Sequence, residues 1–347
     1  MTGGRRKRVS IRDVARHVGV DPSTVSLALN GSSRVALKTR EKIVAAAGDL
    51  GYQPNALAQA LRRGRTRSVG ILAASLDIPF FIDLLKVQER WLVSHGYSVL
   101  FGNMQGSPAV EDRVLTEMRM HRVEGLCLGF PSPNHRDQYR CLVEAGIRMS
   151  FYVEKGYLGY LTDTGANAAV CDLSRGCYAL IQHLVSLGHR RIATIGYLPD
   201  RRSDYVQAMQ ELGLQVEPDW VYDTRRLAGG VEDACARFAA LRPRPTAIFT
   251  QSDEYAAEIL NCLVREGIHC PRDVSVVGIN NTRLAELVRV PLTTLALPTQ
   301  DIGTWMAQAV AHQAENPGTE PEIRFFPTHV VERDSTAPPC VPDGGLA

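Results

Sequence analysis

From Ser68 onward, short strand-like runs alternate with helical stretches, and this alternation limits the fold more than any other feature of the chain. The strand-like runs are Val69–Ala73, Val99–Phe101, Gly125–Gly129, Met149–Val153, Ile192–Gly196, Ala247–Thr250 and Val274–Gly278. Helical stretches such as Phe81–His95 and Leu173–Leu187 lie between them. Strands separated by helices form parallel sheets that are covered by helices on both faces. Because the runs fall into two successive sets, the sequence predicts two α/β lobes.

The N-terminal part of the chain has a different pattern, which predicts two short helices joined by a tight turn. In the first helix, one apolar face is formed by Ile11, Val14, Ala15 and Val18. Ser10 can cap its start together with Asp13, and Gly19 can end it in a left-handed conformation. Asp21 and Pro22 then suit the start of a second helix. This arrangement is a helix-turn-helix.

The second helix is predicted to pack through Val25, Ala28 and Leu29. The side chains left near its exposed start are Pro22, Ser23, Thr24, Ser26 and Leu27. In a helix-turn-helix, that end of the second helix meets base edges in the major groove of DNA. A third helix over Thr39–Leu50 would turn four residues inward, namely Ile43, Val44, Ala47 and Leu50. A generic pair of packed helices would show the same periodicity.

The distribution of charge favours DNA binding over generic packing. The first 67 residues carry 14 basic and 4 acidic side chains, a net charge of +10, whereas the remainder carries 25 basic and 33 acidic side chains, a net charge of −8. The near-neutral total of +2 therefore combines a basic N-terminal region with an acidic body. A basic region of this kind suits the phosphate backbone of DNA.

Composition is that of an ordinary soluble protein, with 45% apolar and 22% charged residues in 347. We find neither an apolar run of membrane-spanning length nor the apolar core of a signal peptide. The eight cysteines are scattered and form no C-x-x-C pair, which favours free thiols over a zinc site or a redox switch. We therefore expect no metal, no cofactor, no membrane contact and a cytoplasmic location.

Several short motifs follow one another at fixed offsets over residues 9–67: I-x-D-V-A, T-V-S, L-N, T-R-E-K-I and L-G-Y-x-P-N-A-L-A-x-x-L. In this order and spacing they resemble the LacI/GalR family of bacterial transcription regulators. The resemblance implies that Asn30, Tyr52 and Asn55 also contact DNA. Leu27 stands where many relatives have Arg, which predicts a different half-site, because leucine can touch a thymine methyl group but cannot bond guanine bidentately.

The resemblance also implies that Pro54–Gly64 form a hinge helix in the minor groove at the operator centre. Ala58 and Leu61 would contact the bases there, and Leu61 would insert between base pairs and kink the DNA. Such a short helix is marginal alone, so folding only on DNA would make it a switch element. The alternative is a small packing helix.

The body resembles the two-lobed, periplasmic-binding-protein-like (type I) core of the same family. The markers are PFF, HGY, LGHRRIATIG, DVSVVGIN and PLTTLALP. Four segments are predicted: a small all-α DNA-binding domain at 1–50, a hinge at 51–67, the α/β effector and dimerisation domain at 68–335, and a flexible tail at 336–347. Thr299–Ala314 would be the final helix and Ile323–Val331 the last strand. The tail lacks leucine heptads, so no tetramerising helix is expected.

In this fold a ligand lies between the lobes, at the carboxyl ends of the strands. The resemblance places Arg201 there, where it would bond a carboxylate, a phosphate or a pair of hydroxyls; Asp204 stands where glycine is usual, and a surface arginine is the alternative. Asp253 would also face the ligand, or would simply cap a helix. Asn280 stands where relatives often have Asp, which disfavours a sugar. Phe80 would stack on a flat ligand, or belong to the core.

Three kinds of function compete. The leading interpretation is a dimeric repressor on a palindromic operator, controlled allosterically by a small molecule and bound to the nucleoid. A regulator controlled by a partner protein is the first alternative, and a solute-binding protein, from the body alone, is the second. An enzyme is disfavoured because G-x-G-x-x-G, G-x-S-x-G, H-E-x-x-H and the P-loop motif are missing, and no catalytic residue is predicted. His183 and His189 are expected to be structural.

Overall fold

The computed structural model of the protein describes residues 9–29, 32–52 and 65–340. The chain divides into two compact units at Thr66–Arg67. The first unit is helical, and the second contains two six-stranded sheets. We describe each unit by itself, and we call the first the headpiece.

Three helices form the described headpiece: α1 (Ile11–Val18), α2 (Pro22–Leu29) and α3 (Leu37–Asp49). The predicted start of α1 is confirmed, because the Ser10 backbone N–H donates to the Asp13 carboxylate at 2.9 Å. Gly19 ends α1 with φ of 74°, a left-handed conformation that glycine adopts without strain. At the start of α2, the Asp21 carboxylate accepts the Ser23 N–H at 2.7 Å. These local bonds explain why the sequence folds into helices here.

The three helices enclose a small core of buried side chains, namely Val14, Ala15, Val25, Ala28, Val35, Ile43 and Ala47. Val25 and Ala28 fill the predicted inward face of α2. The prediction for α3 is wrong at Val44, which is 52% exposed, and Ala46 is buried instead. The helix begins at Leu37, two residues before the predicted start.

The first lobe is built on an entirely parallel six-stranded sheet. Its strands are β1 (Ser68–Ala73), β2 (Ser98–Asn103), β3 (Gly125–Gly129), β4 (Arg148–Glu154), β5 (Asn167–Cys171) and β11 (Ile323–Phe326). They lie in the order β11-β5-β4-β3-β1-β2. The helices of this lobe are α4 (Pro79–Ser94), α5 (Pro108–Met120), α6 (Arg136–Glu144) and α12 (Thr299–Glu315). A 3₁₀ helix over Lys155–Tyr160 follows β4.

The second lobe is built on the other six-stranded sheet. Its strands are β6 (Ile192–Gly196), β7 (Val221–Asp223), β8 (Ala247–Thr250), β9 (Ser275–Asn280), β10 (Thr293–Ala296) and β12 (His329–Val331). Their order is β12-β10-β9-β8-β6-β7, parallel except where β12 pairs with β10. The helices are α7 (Leu173–Ser186), α8 (Pro199–Glu211), α9 (Gly230–Ala240), α10 (Asp253–Arg265) and α11 (Arg283–Leu287). The two predicted α/β lobes are therefore confirmed.

The chain crosses between the lobes three times, after β5, after β10 and after β11. The prediction of one last strand over Ile323–Val331 is wrong, because that segment contains β11 of the first lobe and β12 of the second. The packed chain also continues past the predicted boundary at 335. Thr336 is within hydrogen-bond distance of His183 at 3.1 Å, and the Ala337 carbonyl lies 2.9 Å from His189 Nε2. The two histidines thus hold the C-terminal segment, as structural residues.

Candidate DNA-binding and effector sites

The start of α2 presents a compact set of short side chains on the surface of the headpiece. Ser23 and Leu27 are exposed, with Leu27 at 38%, and Pro22, Thr24 and Ser26 are half-buried. Val25 and Ala28 hold the opposite face of the helix in the core. This arrangement is the one that the sequence predicted for contact with base edges.

Tyr52 is half-buried beside the headpiece core, and its backbone N–H donates to the Ala47 carbonyl at 2.8 Å. The other predicted DNA contacts, Asn30, Asn55, Ala58 and Leu61, lie outside the described residues, as does most of the predicted hinge. Their roles stay predictions.

A cleft of about 440 Å³ lies between the two lobes, where the carboxyl ends of β1, β4, β6, β8 and β9 meet. Both lobes line it. Its apolar residues are Ala74, Ile78, Phe80, Phe81, Phe130, Tyr152, Leu173, Tyr197, Leu198, Tyr255 and Ile279, and its polar residues are Asp77, Glu154, Asp200, Arg201, Gln251, Ser252, Glu254 and Asn280. Apolar walls with a few polar groups are typical of small-molecule sites.

Arg201, near the start of α8, lines this cleft, but protein carboxylates already bind its guanidinium. Nη2 donates to Glu154 at the end of β4, and Nη1 donates to Asp204 one turn further along α8. Only 6% of the Arg201 side chain is exposed. Because Glu154 belongs to the first lobe, this ion pair joins the two lobes across the cleft.

The buried charges of this cluster perturb one another. Burial raises the pKa of Glu154, and Arg201 only partly opposes this effect. Burial alone would lower the pKa of Arg201, but Glu154, Cys177 and Asp204 more than reverse it. The cluster is therefore held as one cation between two acids. A second contact joins the lobes, since the Tyr157 hydroxyl donates to Asp200 at 2.5 Å and this bond raises the pKa of Tyr157.

Phe80 and Asn280 also border the cleft, and their contact with an effector stays a prediction. Phe80 is 5% exposed, and its ring packs edge-on against Phe81 at 5.3 Å and tilted against Tyr152 at 5.0 Å, so it belongs to the core as well as to the wall. Asn280 ends β9 with φ of 104°, and Asn281 follows with φ of 52°. Two successive left-handed residues turn the chain sharply at the edge of the cleft.

The prediction that Asp253 faces a ligand is wrong. Asp253 is fully buried, and its carboxylate accepts the Thr282 N–H at 2.6 Å, the Thr282 hydroxyl at 3.0 Å and the Thr294 hydroxyl at 2.6 Å. It therefore fixes the segments after β9 and in β10 to the start of α10. The N-cap is Ser252, whose hydroxyl accepts the Tyr255 N–H at 3.3 Å. Burial raises the pKa of Asp253 to about 6.

No group of three or more His, Cys, Asp or Glu side chains within 9–29, 32–52 and 65–340 is arranged to hold a metal ion. Over the same ranges, no helix is both long enough and apolar enough to cross a membrane.

Two family profiles match the chain. Residues 10–55 match "Bacterial regulatory proteins, lacI family", and residues 181–336 match "Periplasmic binding protein-like domain". The chain belongs to the LacI family. It is a transcriptional regulator with a DNA-binding helix-turn-helix and an effector domain.

Curated LacI-family relatives align along nearly the whole chain. The HTH-type transcriptional repressor PurR of Photobacterium profundum is 28% identical over 332 residues, covering 94% of this chain and 98% of the relative. The HTH-type transcriptional regulator DegA of Bacillus subtilis is 29% identical over 341 residues, with 95% and 99% covered. These relatives are regulators and not enzymes.

Solved structures of LacI-family proteins share the fold. The lac repressor dimer bound to operator and the anti-inducer ONPF superposes with a TM-score of 0.79 at 23% identity, covering 95% of this chain and 100% of that one. The complex of the transcriptional regulator CelR with cellobiose gives a TM-score of 0.66 at 26% identity, covering 94% and 100%.

Several cleft residues of this LacI-family chain were missed from the sequence. Glu154, Tyr157 and Asp200 form the contacts between the lobes, and Gln251 accepts the backbone N–H groups of Tyr197 and Leu198 at 2.8 Å each. Their place in the sequence could have revealed two of them, because Glu154 and Gln251 directly follow predicted strands, whose carboxyl ends face the cleft. The tyrosine-rich stretch from 148 to 162 was the other signal.

Proposed function

We propose that the protein is a dimeric repressor that binds a palindromic operator through α2 and is controlled by a small molecule bound between the lobes. The observation that carries the proposal is the exposed start of α2 on a strongly basic headpiece. The related PurR proteins are named repressors, and the lac repressor was solved as a dimer on its operator.

On the operator, each α2 would lie in a major groove, with the two helices about one helical turn apart. Pro22, Ser23, Thr24, Ser26 and Leu27 would form the contact surface. Tyr52 and the predicted contacts Asn30, Asn55, Ala58 and Leu61 would complete it. Since Leu27 lacks a hydrogen-bonding group, it would select a thymine methyl group and not a guanine edge.

The effector would act by changing the angle between the lobes and thereby the spacing of the two hinge segments. The cleft supports this proposal as the effector site, because both lobes line it. The bonds from Arg201 to Glu154 and from Tyr157 to Asp200 already join the two lobes across it. We expect a coupling free energy of roughly 1–3 kcal/mol between effector and operator. Phe80, Arg201 and Asn280 would shape the site, with Arg201 acting through its carboxylate partners.

We also propose that the chain catalyses no reaction itself and acts on chromosomal DNA in the cytoplasm. The four segments 1–50, 51–67, 68–335 and 336–347 remain our division of it, with the correction that Thr336 and Ala337 belong to the packed second lobe. The regulatory relatives support the first statement, and the basic headpiece supports the second.

The test is selection of bound sequences from random duplex DNA by the purified full-length protein. We expect a palindrome with a flexible or CG step at its centre, where Leu61 would insert. A double variant, Ser23→Ala with Thr24→Ala, should weaken the selected consensus while salt-sensitive binding to any duplex persists. If the wild-type protein enriches no sequence under conditions where it binds DNA, the proposal is wrong.

A further inference from the structure

The residues that line the cleft carry more negative than positive charge. Four acids border it: Asp77, Glu154, Asp200 and Glu254. Within the described chain, Arg201 is the one basic residue in the lining. Its Nη1 and Nη2 are already bonded to Asp204 and Glu154. An anionic ligand would therefore meet acids and a cation that the protein has already neutralised.

Helix N-termini attract anions in many α/β proteins, and two of the helices that begin at the cleft, α8 and α10, carry acids of the chain in their first turn. The helix α8 begins at Pro199 and carries Asp200 in its first turn. The helix α10 begins at Asp253 and carries Glu254 next to it. The partial positive charge at these two N-termini favours the acids of the chain itself and so attracts a ligand anion less strongly. The helix α4 also begins at the cleft and has no acid in its first turn, but Asp77 lies two residues before it.

The rest of the lining is largely aromatic or aliphatic, including Phe80, Phe130, Tyr152, Tyr197 and Tyr255. The faces of aromatic rings attract cations. One face of the Tyr197 ring is already covered in this way, because the Arg225 guanidinium carbon lies 4.0 Å from its centroid. Aromatic walls with acids among them are suited to an apolar body that carries a positive charge.

We propose that the effector is a small organic cation, with a flat or apolar body packed on these rings and a protonated nitrogen neutralised by Asp77 and Glu254. The proposal rests on the proposed function, in which the effector occupies this cleft. Glu154 and Asp200 are less available, since they are bonded to Arg201 and Tyr157. Asp77 follows β1 in the first lobe and Glu254 lies on α10 in the second, so one cation bound by both would favour approach of the lobes.

The first test compares three indole compounds of similar size that differ in head group: tryptamine (cationic), tryptophol (neutral) and indole-3-acetate (anionic). Their affinities for the full-length protein are measured by calorimetry near neutral pH. We expect tryptamine to bind about tenfold more tightly than tryptophol, and indole-3-acetate to bind most weakly. Equal affinities, tighter binding of indole-3-acetate, or no binding of tryptamine would overturn the proposal.

The second test uses Glu254→Gln, with Glu258→Gln as the matched control. Both residues are on α10, but Glu258 is exposed and is not part of the lining. Glu254→Gln should remove most of the preference for tryptamine over tryptophol, and Glu258→Gln should leave it unchanged. Equal effects of the two variants would show only a general influence of net charge and would contradict the site.

The operator selection separates this inference from the proposed function. If a palindrome is enriched but indole-3-acetate binds better than tryptamine, the regulator stands and the cationic effector is wrong. If tryptamine binds in the expected order but no operator is enriched, the charge preference of the cleft stands and the proposed repressor is wrong.

Discussion

The guanidinium of Arg201 is bonded by two carboxylates in a place where little water reaches it. Removing one partner from a buried ion pair leaves the other charge uncompensated, which costs more than the pair itself contributes. The same reasoning applies to Asp253, which is held by three hydrogen bonds away from the cleft. Substitution of either residue should therefore lower the stability of the fold, and any effect on ligand binding would follow from that loss.

We expect Arg201→Met to lower the free energy of unfolding by about 3–5 kcal/mol, because Glu154 and Asp204 would be left buried without a counter-charge. Urea unfolding, monitored by circular dichroism, measures this change in the free energy of unfolding. The control is Arg265→Ala, which breaks a pair between Arg265 and Glu232 whose side chains are each 67% exposed. That variant should unfold like the wild type. A similar loss in both variants would contradict the buried cluster.

The raised pKa of Asp253 predicts a pH dependence of stability. Because the folded-state pKa is about 6 and the ordinary value is 3.8, the folded protein binds the proton more tightly. The resulting stabilisation is complete below about pH 4 and is lost as the pH rises through about 6. Relative to Asp253→Asn, the wild type should lose up to roughly 3 kcal/mol between pH 4 and 7.

Asp273 provides the control of opposite sign. A side-chain hydrogen bond from Arg272 lowers the pKa of Asp273 to about 2. Its stabilisation is present above the ordinary carboxylate pKa and is lost as the pH falls towards 2. Urea unfolding of Asp253→Asn and Asp273→Asn between about pH 2 and 7 should therefore give difference curves with opposite slopes: the contribution of Asp253 falls as the pH rises from about 4 to 7, and that of Asp273 rises between about pH 2 and 4. Parallel slopes would contradict the assignment of Asp253.

At the scale of elements, α2 combines an exposed start with a buried opposite face, and this division allows its sequence to change on one side only. Leu27 lies on the exposed side, whereas Val25 is completely buried. Substitutions at Leu27 should therefore change DNA recognition without unfolding the headpiece.

We expect Leu27→Arg to shift the selected half-site towards guanine at one position, with a discrimination of about 1–3 kcal/mol, because arginine can bond guanine bidentately. Selection from random duplex DNA measures the change. The control is Val44→Arg, which adds the same charge at a site on α3 that is 52% exposed. That variant should strengthen binding to all sequences alike. An unchanged half-site in Leu27→Arg would place the residue away from the bases.

At the scale of the whole molecule, the headpiece and the two-lobed unit have separate cores. The headpiece core contains few large side chains, so its stability is expected to be marginal. The lobes have much larger cores, which also include α12 packed on the first sheet. The two units should therefore respond independently to mutation.

We expect Ile43→Ala to abolish operator binding while the thermal unfolding of the lobes stays at the wild-type temperature. Ile43 is completely buried, and such a truncation lowers the free energy of unfolding by about 2–5 kcal/mol. This loss is comparable to the whole free energy of unfolding of a small domain. Calorimetry and a DNA-binding assay measure the two effects. Leu37→Ala is the control, since Leu37 is 68% exposed and should change neither. A lowered unfolding temperature of the lobes would show that the units fold together.

Much of the fold could be predicted because its signals are local. Ser10, Gly19 and Pro22 act on the few residues around them, and the strands Gly125–Gly129, Ile192–Gly196 and Ala247–Thr250 were predicted with their observed bounds. Hydrophobic runs and caps depend on neighbouring residues only. The sequence by itself therefore determined the helix-turn-helix, the two α/β lobes and the general place of the cleft.

The tertiary structure decided which residues meet. Whether Ile323–Val331 is one strand or two depends on which sheet each half reaches, and periodicity carries no such information. Arg201 meets Glu154, 47 positions earlier in the chain, only because β4 and α8 end and begin at the same cleft. Asp253 points away from that cleft because Thr282 and Thr294 offer it hydrogen bonds from distant segments. Ion pairs and buried hydrogen bonds are contacts between distant parts of the chain, so only the folded arrangement of strand ends and helix starts fixes them.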